Sequence, residues 1–90
     1  MPQAIEPTAP DPTAQELADA YRGGCPDCLA IGSQWVHLRM CLVCRHVGCC
    51  DNSPRRHARL HWQTTGHAEI VSLEPGETWR WSFATEQPIE

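Results

Sequence analysis

Between Trp35 and Met40 apolar and polar side chains alternate. Val36, Leu38 and Met40 fall on one face and Trp35, His37 and Arg39 on the other, which predicts a strand. Two further runs, AEIVSL at 68–73 and TWRWSFA at 78–84, read as strands joined by Glu74-Pro75-Gly76-Glu77. Pro followed by Gly at the central positions suits a type II turn. Helical spacing occurs twice. TAQELADAY at 13–21 opens on Thr13, with Glu16 completing a reciprocal cap, and stops at Gly23 and Gly24. NSPRRHARLHWQT at 52–64 predicts a second helix with Ser53 as its cap, Pro54 in its first position and Gly66 at its end. The division along the chain is therefore a Pro-rich tail over 1–12, a short helix over 13–24, a domain over 25–85 and a C-terminal tail over 86–90. The fold class is α+β: a small, mostly antiparallel twisted sheet with one helix against it.

A 90-residue chain is small for a core that stabilises itself. Domains of this size add disulfides, metals or partners. Six Cys and five His stand here. The opening MPQAIEPTAPDPTAQE is acidic and Pro-rich, without the apolar stretch of a secretory signal or a membrane span. A reducing cytoplasm, free thiolates and metal follow from this, and His among the Cys fits a metal site because a disulfide has no use for it. The formal net charge is -4, and all seven basic residues are Arg. Five of them lie in 25–68, between two acidic flanks. The acidic balance excludes nonspecific nucleic-acid binding through a dominant basic face. The expected state is a monomer in the cytoplasm, away from membranes.

The metal reading rests on spacing. Cys25-x2-Cys28 and Cys41-x2-Cys44 are followed by Cys49-Cys50, then His57-x3-His61 and His67. Paired C-x2-C motifs are a strong zinc signal. Two residues between sulfurs form a knuckle that points both at one ion, and His four apart on a helix project from one side. Structural zinc takes four ligands, so five of the Cys and three of the His supply two sites. A single four-cysteine site with solvated His is the alternative. Catalytic zinc is disfavoured, because no Glu stands between the paired His as in H-E-x-x-H, and no nucleophile–base pair is visible. The chain is expected not to be an enzyme.

CPDC, a Trp seven residues on, CLVCRHVGC, HARLH and TGH together resemble the UBP-type zinc finger, the ubiquitin-binding finger of deubiquitinases. VGCCDNSP and EPGETWRW are similar to small stand-alone bacterial members. The resemblance spans about residues 25–83. It implies two crossed zinc sites, one of Cys25, Cys28, Cys49 and His57, the other of Cys41, Cys44, His61 and His67. No third site is implied, since Trp81-Ser82-Phe83 stands where some members carry one. His37, His46 and Cys50 are left over. His46 in the knuckle could donate to a thiolate, and Cys50 reads as a small space-filling residue or, alternatively, a redox thiol.

The resemblance further implies a pocket for the free C-terminal Gly-Gly of ubiquitin, walled by Trp35, Trp79 and Trp81. Its Arg, two residues after the Cys of the G-C motif, is Asp51 here. A carboxylate there repels a terminal carboxylate, so Arg55 or Arg56 would have to substitute. The expected function is a zinc-binding protein-interaction module for a peptide tail of unidentified origin. A scaffold with buried aromatics and a thiol or zinc redox sensor are the rivals.

Overall fold

The computed structural model describes residues 11–89, so the first ten residues of the expected N-terminal tail lie outside it. Helix α1 spans Ala14–Gly23. The Thr13 hydroxyl accepts from the Glu16 N–H at 3.0 Å and the Glu16 carboxylate accepts from the Thr13 N–H at 3.2 Å, which closes the reciprocal cap. Helix α2, Pro26–Ile31, was not anticipated. Its cap is Cys25, whose sulfur accepts from the Cys28 N–H at 3.4 Å, and Pro26 occupies a first-turn position where no N–H is needed. The C-x2-C knuckle thus doubles as a helix start.

Strands β1 (Leu38–Cys41), β2 (Val47–Cys49), β3 (Glu69–Ser72), β4 (Arg80–Ser82) and β5 (Gln87–Ile89) form an antiparallel sheet in the order β2-β1-β3-β4-β5. The turn at 74–77 closes with a Glu77 N–H to Glu74 C=O bond of 3.0 Å and Gly76 at φ 83°, the left-handed value that a type II turn requires. Residues 87–89, expected within a C-terminal tail, instead pair with β4. Pro88 lacks an N–H, which an edge strand tolerates.

Strand register divides the sheet. Arg39 pairs with Gly48 and Ser72, and Ile70 with Trp81, placing these residues on one face. Met40 pairs with Val47 and Val71 on the opposite face. That second face carries the larger core, in which Leu38, Met40, Leu42, Val47, Val71 and Leu73 meet Cys25, Cys28 and Cys49. Leu17 and Ala20 of α1 pack against it, as does Trp35. Helix α3, His57–Thr65, supplies Ala58 and Trp62 to a smaller cluster with Ile70, Trp81 and Phe83. Trp62 stacks on Phe83 with ring centroids 5.4 Å apart.

Helix α3 begins three residues later than its predicted first position at Pro54. Ser53 is buried and its hydroxyl accepts from the Val36 N–H at 2.8 Å, so it ties the loop to the approach of β1 instead of capping a helix. The residue preceding α3 is Arg56 in a left-handed conformation without a side-chain cap. The Cys49 sulfur, 3.1 Å from the His57 N–H, accepts there instead. Strand and helix come close because residue 48 is glycine. A Cβ on Gly48 would lie 2.5 Å from the Ala58 nitrogen and 2.8 Å from the His57 carbonyl carbon.

Gly48→Ala should therefore push α3 off β2 and lower stability by about 3 kcal/mol, the upper range for overpacking against backbone. Gly23→Ala meets no atom within 4 Å and needs no positive φ, so it should be neutral or stabilising by up to about 1 kcal/mol. Denaturant unfolding of the two variants distinguishes the sites. Truncation to a chain starting at Thr13 removes the Asp11–Arg80 ion pair of 3.0 Å, whose carboxylate is 73% exposed. Such a pair contributes about 0–1 kcal/mol, so the shortened chain should melt within a few degrees of the full one.

Candidate metal centres and an aromatic cleft

Two groups of ligand atoms converge. Cys25, Cys28, Cys49 and His57 form one and Cys41, Cys44, His61 and His67 the other, with all four ligand atoms of each within 4.8 Å of one another. Tetrahedral zinc, at about 2.3 Å to sulfur and 2.0–2.1 Å to nitrogen, sets ligand atoms roughly 3.5–3.8 Å apart. In the first group the Cys28 and Cys49 sulfurs are 3.7 Å apart. His57 Nδ1 stands 3.4, 3.3 and 3.5 Å from the sulfurs of Cys25, Cys28 and Cys49. In the second, Cys44 Sγ lies 3.3 Å from His61 Nε2. His67 Nδ1 is buried without a hydrogen-bond partner. A buried imidazole nitrogen lacking a partner, beside two thiols and another imidazole, fits a metal ligand. Both donor sets suit zinc.

Local structure positions each ligand. The knuckle after β1 closes with a Cys41 N–H to His46 C=O bond of 2.8 Å and an Arg45 N–H to Cys41 C=O bond of 2.9 Å, with Arg45 at φ 69°. Cys41 Sγ accepts from the Val43 N–H at 3.4 Å. His57 and His61 project from successive turns of α3, so one helix serves both groups. His46 does not reach a thiolate. Its Nε2 pairs with Asp27 at 2.8 Å and its ring stacks on His61 at 4.5 Å between centroids. Asp27 lies between the Cys of the first group, and His46 buttresses a ligand of the second, so this contact ties one group to the other.

The electrostatics of both groups call for a cation. Burial pushes the Cys28 thiol up to about 12, helped by the adjoining Cys25 and Cys49. Burial also raises Cys25 and Cys41. Clustered buried thiols resist ionising together, and a divalent cation reverses that preference. Burial, with His46 and His67 nearby, lowers the His61 pKa, which favours the neutral imidazole that binds metal.

On the other face of the sheet a cleft of about 200 Å³ is lined by Arg39, Cys50, Asp51, Asn52, Ile70, Trp79, Trp81 and Phe83. Trp79 is 42% exposed, Trp81 half-buried and Phe83 buried. Trp35 is not among its walls. Gly24, at φ 75°, has no Cβ, and its bare backbone lets the Trp35 ring pack inward, since a Cβ there would stand 2.7 Å from the ring. Arg55 and Arg56 line a separate surface concavity with Leu60 and Gln63. The partner of Asp51 is Arg59, missed in the sequence: Nε lies 3.1 and 3.0 Å from the two carboxylate oxygens and Nη2 2.6 Å from one. The Arg59 guanidinium also sits 5.0 Å over Phe83. Cys50 is buried and 3.6 Å from the Ser53 hydroxyl. Burial raises its thiol pKa, but hydrogen bonds from Ser53 and the surrounding backbone, with the positive field of Arg39, outweigh this and lower it.

A helix and two cysteine knuckles that interleave two Cys/His groups define a cross-braced zinc finger. Residues 25–90 match the family described as the Zn-finger in ubiquitin-hydrolases and other proteins, and the chain belongs to that family. It is similar to protein RPA1320 from Rhodopseudomonas palustris, whose solution NMR structure superimposes with a TM-score of 0.68 at 51% identity. That match covers 74% of this chain and 66% of the other, so the chain spans just under two thirds of that neighbour's length. No curated protein matches. Among the described residues no helix is long and apolar enough to cross a membrane.

His46→Ala should weaken metal binding at the group containing His61 by about tenfold or more, the usual effect of removing a group that orients a ligand. Asp27→Asn should do so more mildly. Competition with a graded series of chelators measures this, and the first group should retain its affinity in both variants.

Proposed function

We propose that this domain is a zinc-held interaction module that accepts the end of a peptide chain in the aromatic cleft. The observation that carries the reading is the cleft itself: three aromatic rings and a guanidinium around about 200 Å³ of open space, in a member of this zinc-finger family. Sites for drug-sized molecules occupy about 300–1,000 Å³. The smaller volume suits one or two small residues at the end of a chain. Glycine fits best, because without a side chain its backbone passes between rings. Exposure of Trp79 favours the module over a scaffold whose aromatics are all core. The reading is of binding and not catalysis: Cys50, the nucleophile at the cleft, is accompanied there by no imidazole among the described residues.

In this reading two Zn²⁺ ions occupy the crossed groups and supply much of the folding free energy, since no site is preformed in the unfolded chain. Elemental analysis should give two zinc per chain. Cys28→Ala and His61→Ala should each lose one, and Cys50→Ser should keep both. Loss of a metal in Cys50→Ser overturns the choice of Cys49 as ligand. Chelation should unfold the domain.

The pH dependence of the zinc-bound domain follows from its ligands. With zinc bound, protons compete for the ligands, so the domain should lose metal and unfold as pH falls. The lowered His61 pKa delays that loss to below the usual histidine value of about 6.5. Zinc release followed with a chromogenic chelator across pH 4–8 (a range of about four units around that value) checks the direction.

Binding is tested by titrating the zinc-loaded chain with short peptides ending in Gly-Gly and following Trp fluorescence. Trp79→Ala and Trp81→Ala should each weaken binding by about tenfold or more, as expected of aromatic anchors. If no peptide binds to the zinc-loaded wild-type chain, the scaffold reading replaces this one.

A further inference from the structure

We propose that Arg39 is the residue that recognises a carboxylate in the aromatic cleft, the position following the G-C motif having been withdrawn from that role by the Asp51–Arg59 pair. The assignment rests on the reading of the cleft as a peptide-tail site. Arg39 projects from the central part of the sheet, where it pairs with Ser72 across β3. Its guanidinium lies 4.5 Å over the Trp79 ring. Nη1 donates to the Leu38 carbonyl at 3.0 Å and to the Ser72 hydroxyl at 3.3 Å. Stacking on one face and two bonds at one nitrogen hold the plane of the group.

Nε and Nη2 keep their hydrogens without an acceptor among the described residues, and no carboxylate there lies within ion-pair distance of Arg39. A half-buried guanidinium fixed at one nitrogen, with donors left over at the others, matches the two oxygens of a carboxylate. The other cation beside the cleft differs. Arg59 already spends Nε and Nη2 on Asp51, so it neutralises the acid and offers an incoming anion little. A ligand carboxylate at Arg39 also meets less repulsion from Asp51, because Arg59 compensates that charge.

The carboxylate could be a chain terminus or an acidic side chain, and the peptides used distinguish them. The zinc-loaded full chain is titrated with a Gly-Gly peptide bearing a free C-terminus, with the same peptide amidated, and with an amidated peptide ending in Asp. Wild type should prefer a carboxylate-bearing peptide over the plain amide by about ten- to a hundredfold, the range for a charge-assisted bond. Arg39→Gln should erase that preference, acid and amide then binding alike, and Arg39→Lys should restore part of it. Arg59→Gln should weaken the carboxylate-bearing peptide, because it exposes the Asp51 charge. In wild type, the Arg39 Nε–H resonance should shift with the carboxylate peptide and stay in place with the amide, a readout that needs no variant. A preference that survives Arg39→Gln in a folded, fully zinc-loaded protein overturns the assignment of Arg39 and leaves the cleft reading standing. Equal binding of acid and amide by wild type also overturns it. Failure of every peptide to bind wild type removes the cleft reading itself.

Discussion

The contact on which the rest depends is the approach of β2 to the start of α3. Gly48 brings the strand against the backbone of His57 and Ala58, with no room for a Cβ. At that distance the Cys49 sulfur receives the His57 N–H and faces the His57 imidazole. One residue pair thereby begins a helix, joins it to the sheet and completes a ligand group. The same helix carries His61 one turn later into the second group. Displacing α3 would disturb both groups at once, so the two metal centres are mechanical neighbours even though they share no ligand.

This geometry changes what burial means here. Cys25, Cys28 and Cys49 have no solvent exposure and lie in the same cluster as Leu38, Met40 and Val71. Burial raises the thiols of Cys25 and Cys28 and so favours their protonated forms. A divalent cation would favour their thiolate forms and offset two of the three negative charges of that group. A bound metal would therefore stabilise this part of the core where apolar residues are few in a chain of this size. Helix α1, by contrast, contributes no buried residue and rests on the core through Leu17 and Ala20, so it is an addition to the cross-braced unit and not a condition for it.

The elements most legible in the sequence were those fixed by local chemistry. The Thr13–Glu16 cap, the Pro75-Gly76 turn and the alternation around Leu38 and Met40 each follow from neighbours in the chain. The start of α3 was not legible, because Ser53 is a better partner for Val36, distant in sequence, than for the helix it precedes. Strands β2 and β5 have three residues each and, unlike β4 within TWRWSFA, no flanking alternation to reveal them. The grouping of ligands came from family resemblance; spacing alone left several pairings open. Trp35 and Trp79 lie in different surroundings: the bare backbone of Gly24 lets the half-buried Trp35 ring pack against the larger core, while the guanidinium of Arg39 lies over the exposed Trp79 ring at the cleft.

The charges around the cleft show how an acid can stand where the family resemblance leads one to expect a base. Asp51 alone would make the site repel anions. Its three contacts to Arg59 remove that field, and the remaining positive charge lies on Arg39, on the sheet itself. Two residues eight apart in sequence, Asp51 and Arg59, are joined only because the Gly48 contact seats α3 beside the loop that follows β2. The electrostatic character of the cleft thus depends on the junction of β2 and α3. A substitution that shifts α3 would release Asp51 from Arg59 and restore the acid's repulsion, altering the cleft without touching any residue that lines it. The reach from a glycine in a strand to the sign of a binding surface runs through a single helix, positioned by the atoms of two zinc-type ligand groups.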